Sequence, residues 1–225
     1  MSQTFYSIDR GHEHGISYEA LKEFESVVNK RLATKSLKVH VALIPVSRDQ
    51  LIPTLLAGRD DIAVANLTIT PGRLESVDFS EPLLTDVSEL VVTGPDAPPL
   101  ASLDDLAGKE VGVRASSSYH ESLRRLNDSF KEAGKPPIKL TAADELLEDE
   151  DLLEMVNAGL IPITVVDSHT GDFWAQIFDK ITLHRDLAVA TGGQIAWAFR
   201  KQSPQLGEQV NAFVKDHKRG TMFAT

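Results

Sequence analysis

The sequence predicts an α/β chain folded as two lobes, and three observations carry that expectation. Segments of helical periodicity alternate with short apolar runs of strand type along the chain. The stretch Gly94-Pro95-Asp96-Ala97-Pro98-Pro99 interrupts this alternation more sharply than any other. A length of 225 residues fits one large domain or two lobes, and 42% hydrophobic content is enough for real cores.

Each element follows from local pattern. Ser17 is a candidate cap for a helix whose apolar residues Leu21, Phe24, Val27, Val28 and Leu32 share one face. Val39-His40-Val41-Ala42-Leu43-Ile44 reads as a strand. Ser47 and Gln50 have capping-box spacing for a helix through Leu51, Ile52, Leu55 and Leu56, closed by Gly58, with Pro53 near its limit of tolerance. The apolar run 61–65 then completes a parallel β-α-β unit. Leu90-Val91-Val92 leads into the Gly/Pro break, where the first passage between lobes is placed. In the second lobe, residues 109–114 form a strand, Ala115-Ser116-Ser117-Ser118 a turn, and Tyr119 towards Ala133 a helix. A helix ending at 152–159 precedes a strand over 161–168 that closes on an acidic residue. Gln194 to Arg200 is the last strand and the return passage, and Pro204, Leu206, Val210, Phe213 and Val214 have helical spacing that packs back on the first lobe.

The chemistry concentrates in Asn66-Leu67-Thr68-Ile69-Thr70-Pro71-Gly72-Arg73, followed by Val77-Asp78-Phe79-Ser80-Glu81-Pro82. Beyond a strand's carboxyl end, the hydroxyls of Thr68 and Thr70 and the guanidinium of Arg73 make a carboxylate site, because a planar fork of donors matches a carboxylate. The competing reading is an ordinary turn with a surface arginine. The turn carrying Ser117 and Ser118 feeds a helix N-terminus, which favours anions, although serines also cap helices routinely. Asp167 emerges at a strand end, where open α/β sheets bind ligands, or it caps the next helix.

Composition excludes several classes. A net charge of −10 argues against nucleic acid or an anionic membrane surface as partner. No run approaches the roughly 18 apolar residues of a membrane span. Without cysteine there are no disulfides, thiol nucleophiles or cysteine-bound metals. His12-Glu13-His14 offers two imidazoles but no further ligand set, and the acidic residues Glu145, Glu148, Asp149, Glu150 and Asp151 lack the glycine and ligand alternation of a calcium loop. Neither metal nor cofactor is expected. The amino terminus shows no basic and apolar export signal in this chain.

Phe5-Tyr6, Gly15-Ile16-Ser17-Tyr18-Glu19, Thr68-Ile69-Thr70-Pro71-Gly72-Arg73, Asp78-Phe79-Ser80-Glu81-Pro82, Gly108-Lys109-Glu110-Val111-Gly112-Val113 and Val165-Val166-Asp167 resemble the type 2 periplasmic solute-binding proteins for amino acids. Their order and spacing match over nearly the whole chain. Arg10-Gly11-His12-Glu13-His14-Gly15, residues 44–53 and residues 157–167 are more similar to one branch, the regulatory module of the membrane-bound lytic transglycosylase F family.

The resemblance implies a two-lobed fold with a discontinuous first lobe of residues 1–91 and 200–225, a second lobe of 95–193, and hinge crossings near 90–94 and 194–199. It implies that Arg73 clamps an α-carboxylate, that Thr68, Thr70, Ser117 and Ser118 add hydrogen bonds, that Asp167 pairs with an α-ammonium, and that Tyr6 covers the ligand's apolar part. The ligand is then a small zwitterion, an amino acid or short peptide, on which the lobes close. Two departures stand out. Met1-Ser2-Gln3-Thr4 leads straight to Phe5-Tyr6 where the family has a central first strand, so the first lobe is expected to be marginal, or repaired by residues 1–5 or a second molecule. The chain also stops at Thr225, where the transglycosylases continue into a catalytic domain, so it reads as an excised module of a periplasmic, outer-membrane-associated parent. Glu25-Ser26, Glu75-Ser76 and Glu121-Ser122 lack the motif around the transglycosylase acid, so a non-catalytic module is expected. A transporter's solute receptor and a dehydratase-type enzyme on the same fold are the alternatives.

Overall fold

A computed structural model describes residues 7–9, 12–33 and 36–217, with side chains from His14 onward. Its elements are β1 (Ser7–Asp9), β2 (His12–His14), α1 (Ile16–Leu32), α2 (Leu51–Leu56), β3 (Ile62–Thr68), α3 (Pro71–Ser76), β4 (Val77–Phe79), β5 (Leu84–Thr93), β6 (Glu110–Arg114), α4 (Ser118–Glu132), β7 (Lys139–Ala143), α5 (Asp149–Asn157), β8 (Ile163–Asp167), α6 (Ser168–Trp174), β9 (Thr182–Arg200) and α7 (Pro204–Asp216). The α/β class is as expected. The chain divides into two units, residues 1–85 with 194–225 and residues 86–193.

In unit 1, the last part of β9 pairs antiparallel with both β3 and β4. One core joins α1 and α7 to this ladder. Ala20, Phe24 and Val28 recur every fourth residue on α1 and pack with Trp197, Val210, Phe213 and Val214. Phe24, Trp197 and Phe213 make three aromatic contacts with ring centroids 5.4 to 6.1 Å apart. A second core gathers Leu55, Ala63, Leu67, Val77 and Ala198. Gly207 lets α7 approach closely, since a Cβ there would lie 3.1 Å from the Phe199 ring.

The strand expected over residues 39–44 is not formed, and with it goes the parallel β-α-β unit. No neighbouring strand gives this run a ladder among the described residues. Its backbone instead runs along α1. Asn29 Nδ2 donates to the Val39 carbonyl and Asn29 Oδ1 accepts from its N–H, each at 2.8 Å, while Val41 N–H donates to Glu25 Oε2 at 2.6 Å. Leu37 and Ile44 stay 83% and 60% exposed. Two caps also differ from expectation. Gly15, at φ 119°, precedes α1 in place of Ser17, and the Ser47 hydroxyl donates to Asp49 within a single 3-10 turn, residues Arg48–Gln50, instead of closing a capping box. Pro53 is tolerated because it sits in the first turn of α2, where a backbone N–H would have no intrahelical acceptor, so the N–H that proline lacks is not missed.

In unit 2, β5 pairs antiparallel with β8, and β6 pairs in parallel with β7 across α4. All five residues of β8 are buried, as suits a strand covered on both faces. Val91, Val113 and Val165 pack against Tyr119 and Leu123 of α4 on one side. Val92, Leu153, Val156 and Val166 form the other core. The Thr164 hydroxyl donates to the Gly112 carbonyl at 2.7 Å and ties β8 to β6.

Candidate functional site

The sequence-selected residues fall in two groups, one in each unit, and Tyr6 lies outside the described residues. In unit 1, β3 carries an irregularity between Ala63 and Leu67, with Asn66 in the left-handed region at φ 48°. The strand re-forms through Thr68, and Ile69 N–H donates to the Gln194 carbonyl at 2.8 Å. Thr70 then caps α3, its hydroxyl accepting from Arg73 N–H at 3.3 Å, with Pro71 at the first helical position. This turn aims Arg73 back at the strand. Its Nη1 donates to the Thr68 carbonyl at 2.8 Å, which fixes the guanidinium at the carboxyl end of β3 beside the buried Thr68 and Thr70. The neighbouring motif, residues 78–82, serves architecture. Ser80 N–H donates to the Trp197 carbonyl and its hydroxyl accepts from Trp197 N–H, while Glu81 N–H donates to Asn211.

In unit 2, Ser117 is the cap of α4. Its hydroxyl accepts from His120 N–H at 3.2 Å and donates to the Arg114 carbonyl at 2.7 Å, so the cap engages it in both roles. Ser118 follows in the first turn, also buried. Asp167 is buried where β8 gives way to α6. It occupies the N-cap position, yet its side chain makes no cap hydrogen bond.

Beneath these residues lies a buried network that the sequence reading missed. Arg114, at the end of β6, donates to Asp149 at the start of α5 and to the Leu147 carbonyl. The Tyr119 hydroxyl donates to Asp149 Oδ2 and accepts from Asp167 N–H, both at 3.1 Å. Burial, then Asp149 and Asp167, push the Tyr119 phenol well above its ordinary value, so it remains a donor. Burial opposes the Arg114 charge, but Asp149, Tyr119 and Glu148 outweigh it and hold the guanidinium charged. One chain of bonds thus links β6, α4, α5 and the Asp167 backbone. A charged residue closing the otherwise apolar 111–113 strand was its only trace in sequence. Glu145, from the same acidic stretch, binds Ser116 through both its N–H and its hydroxyl.

Burial also lowers the His169 pKa, with Asp149 and Asp172 pulling partly back, so its ring is neutral at neutral pH. Of the His12-Glu13-His14 group, the first two side chains lie outside the described ones. Among the described residues, no three His, Asp or Glu side chains cluster as a metal site.

The fold is that of type 2 periplasmic binding proteins. An ancestral arginine-binding protein bound to arginine is 24% identical with a TM-score of 0.72, the match covering 95% of this chain and 87% of that one. The substrate-binding protein of an amino acid ABC transporter gives a TM-score of 0.73 at 22% identity, covering 95% and 88%. Among curated proteins, the membrane-bound lytic murein transglycosylase F of Saccharophagus degradans is 27% identical over 219 residues, or 96% of this chain and 40% of the relative. Those of Methylobacillus flagellatus and Maricaulis maris are 26% and 30% identical, covering 93% and 75% of this chain. The chain therefore spans well under half the length of these relatives. The model of one family matches residues 4–224, nearly the whole length, and the chain belongs to that family, the bacterial extracellular solute-binding proteins, family 3.

Proposed function

We propose that this chain is a non-catalytic sensor module that binds an amino acid or short peptide and belongs to a lytic-transglycosylase-like cell-wall enzyme. The observation that carries the reading is Arg73, fixed by the Thr68 carbonyl at a strand's carboxyl end beside two buried threonines. That guanidinium takes the ligand α-carboxylate, with Thr68, Thr70, Ser118 and the N-terminus of α4 adding donors. Asp167 takes the α-ammonium, and Tyr6 covers the apolar part. Binding one molecule through both units makes the chain passages near 90–94 and 194–199 the hinge. The likeness to transglycosylase F supports a regulatory role in the periplasm, with the catalytic acid supplied by a transglycosylase domain of the parent protein. No helix among the described residues is long and apolar enough to cross a membrane. The second reading, a transporter's receptor, draws on the amino-acid-binding structural neighbours. A reading frame that continues past Thr225 into a transglycosylase domain separates the two.

Calorimetry with free L-amino acids and short muropeptide-like peptides tests the site. Losing one partner of a buried charge pair costs about 2–5 kcal/mol, so Arg73→Ala weakens binding at least about thirtyfold. Undiminished affinity overturns the assignment. Asp167→Asn harms ligands with a free α-amine, and equal losses for N-acetylated ligands contradict its role. Purified chain releases no anhydro-muropeptides from sacculi, and their accumulation refutes the non-catalytic reading.

A further inference from the structure

His169 lies in the first turn of α6, two residues after Asp167, and α6 packs on α5 and β8. Both of its ring nitrogens are closed off from solvent, and neither has a hydrogen-bond partner. A neutral imidazole carries one N–H donor and one acceptor nitrogen, so either tautomer leaves both unsatisfied at a cost. An apolar side chain of similar size would avoid that cost. The charges acting on the ring come from Asp149 at the start of α5 and Asp172 one turn along α6, and β8 brings Asp167 at its end. Asp172 is half-exposed and held at the surface by Arg185 Nη2 at 2.7 Å, so the carboxylate on the buried side is Asp149. Asp149 also accepts from the Tyr119 hydroxyl, which in turn accepts from the Asp167 N–H, each at 3.1 Å. A path of three side chains thus runs inside unit 2 from His169 to the Asp167 backbone.

We propose that His169, Asp149 and Tyr119 form a proton-sensitive relay that positions Asp167, so that acid loosens the unit 2 side of the ligand site. The inference rests on the reading above that Asp167 receives the ligand's ammonium. While the ring is uncharged, Asp149 is left to Arg114 and Tyr119. An imidazolium has two N–H donors and a full charge, and its hydrogen bond to a carboxylate is roughly twice as strong as a neutral one, so it displaces the phenol. Tyr119 then loses the acceptor that fixes its hydroxyl, and the Asp167 N–H loses a fixed partner. Arg114 keeps its hold on the other oxygen of Asp149. The sign follows from burial, which lowers the ring pKa below its ordinary 6.5. The relay is therefore complete above 6.5 and is lost as pH falls through the lower folded value.

Nuclear magnetic resonance of the full, ligand-free chain from about pH 8 to about pH 5 tests the relay. The His169 ring signal, identified by its absence in His169→Gln, titrates below 6.5, and the Asp167 amide shifts with the same midpoint. Exchange of that amide, corrected for its intrinsic pH dependence, quickens at least about tenfold across the midpoint. His169→Gln abolishes both Asp167 responses, and Tyr119→Phe abolishes them while the ring still titrates. A ring midpoint at or above 6.5, or an Asp167 amide that does not follow the ring, overturns the proposal. Both are read on the natural chain, so a variant that fails to fold leaves the test standing. Calorimetry with L-alanine and L-glutamine then reaches the site. Affinity falls at least about fivefold between about pH 7.5 and about pH 5.5, and His169→Gln removes the fall. Affinity that ignores pH beside a coupled titration overturns control of the site, whereas binding of neither amino acid at any pH sinks the ligand reading and leaves the relay to the titration.

Discussion

Unit 2 hides every residue of β8, whereas unit 1 leaves a run of the same apolar character, residues 39–44, without a ladder. Both runs have strand composition, and the difference lies in their neighbours. β8 has β5 in register beside it, cores on both faces and a hydroxyl bond to β6. Residues 39–44 have the side chains of Asn29 and Glu25. β-propensity records how well a segment fits a pleated, half-buried surface, and where that surface is missing the segment stays irregular.

The comparison breaks most strongly at the buried ion pair of unit 2. Asp149→Ala strands the Arg114 charge and removes the Tyr119 acceptor, so destabilisation of about 3–5 kcal/mol is expected. The chain's two tryptophans separate the units, Trp174 in unit 2 and Trp197 in unit 1. With Trp197→Phe as background, the urea midpoint reported by Trp174 fluorescence falls, and an unshifted midpoint contradicts the network's role. Gly94→Ala ranks next. A Cβ there would lie 2.6 Å from the Val156 carbonyl oxygen, a backbone atom that cannot swing away, and overpacking of this kind costs about 1–3 kcal/mol. The Trp174 transition again reports it.

The smaller effects sharpen unit 1. Asn29→Ala removes both bonds to Val39, each worth roughly 0.5–1.5 kcal/mol, and the Val39 amide exchanges on the order of tenfold faster while β8 amides are unchanged. Unaltered protection at Val39 means the segment is held by something else. The pH dependence has a definite sign. The hydrogen bond from Val41 N–H lowers the Glu25 pKa, burial opposes it, and the charges of Lys22 and His40 add to the lowering. The stabilisation is therefore complete above the ordinary value of 4.5 and fades as pH falls through the lower folded value. Amide spectra of Val41 titrated into acid follow the loss, and Glu25→Gln removes the titration.

Much of the fold was legible because unit 2 states its pattern locally. The Ser117 cap, the Gly159 turn after α5 and the apolar β8 ending on Asp167 each need only nearby residues. What was not legible depended on partners far along the chain. The 39–44 run reads as a strand until its missing neighbour is known, and β9 runs 19 residues from Thr182, well before the strand expected at Gln194. At the site, Thr68, Thr70 and Arg73 stood out through one continuous motif that the helix cap explains. Tyr119, Arg114 and Asp149 come from three elements. Charge at such positions acquires meaning only from register and burial.

Because β9 supplies the pairing partner of β3 and β4, and α7 completes the core beneath them, unit 1 cannot finish until the ribosome has made unit 2. More than a hundred residues separate Thr85 from Gln194. At about 5–20 residues per second, the apolar faces around Phe24 and Leu55 wait about 7–40 s for Trp197, Ala198 and Phe213 to be made. During synthesis the middle of the chain is the first part able to fold, and the early segment is the part that needs shelter from aggregation.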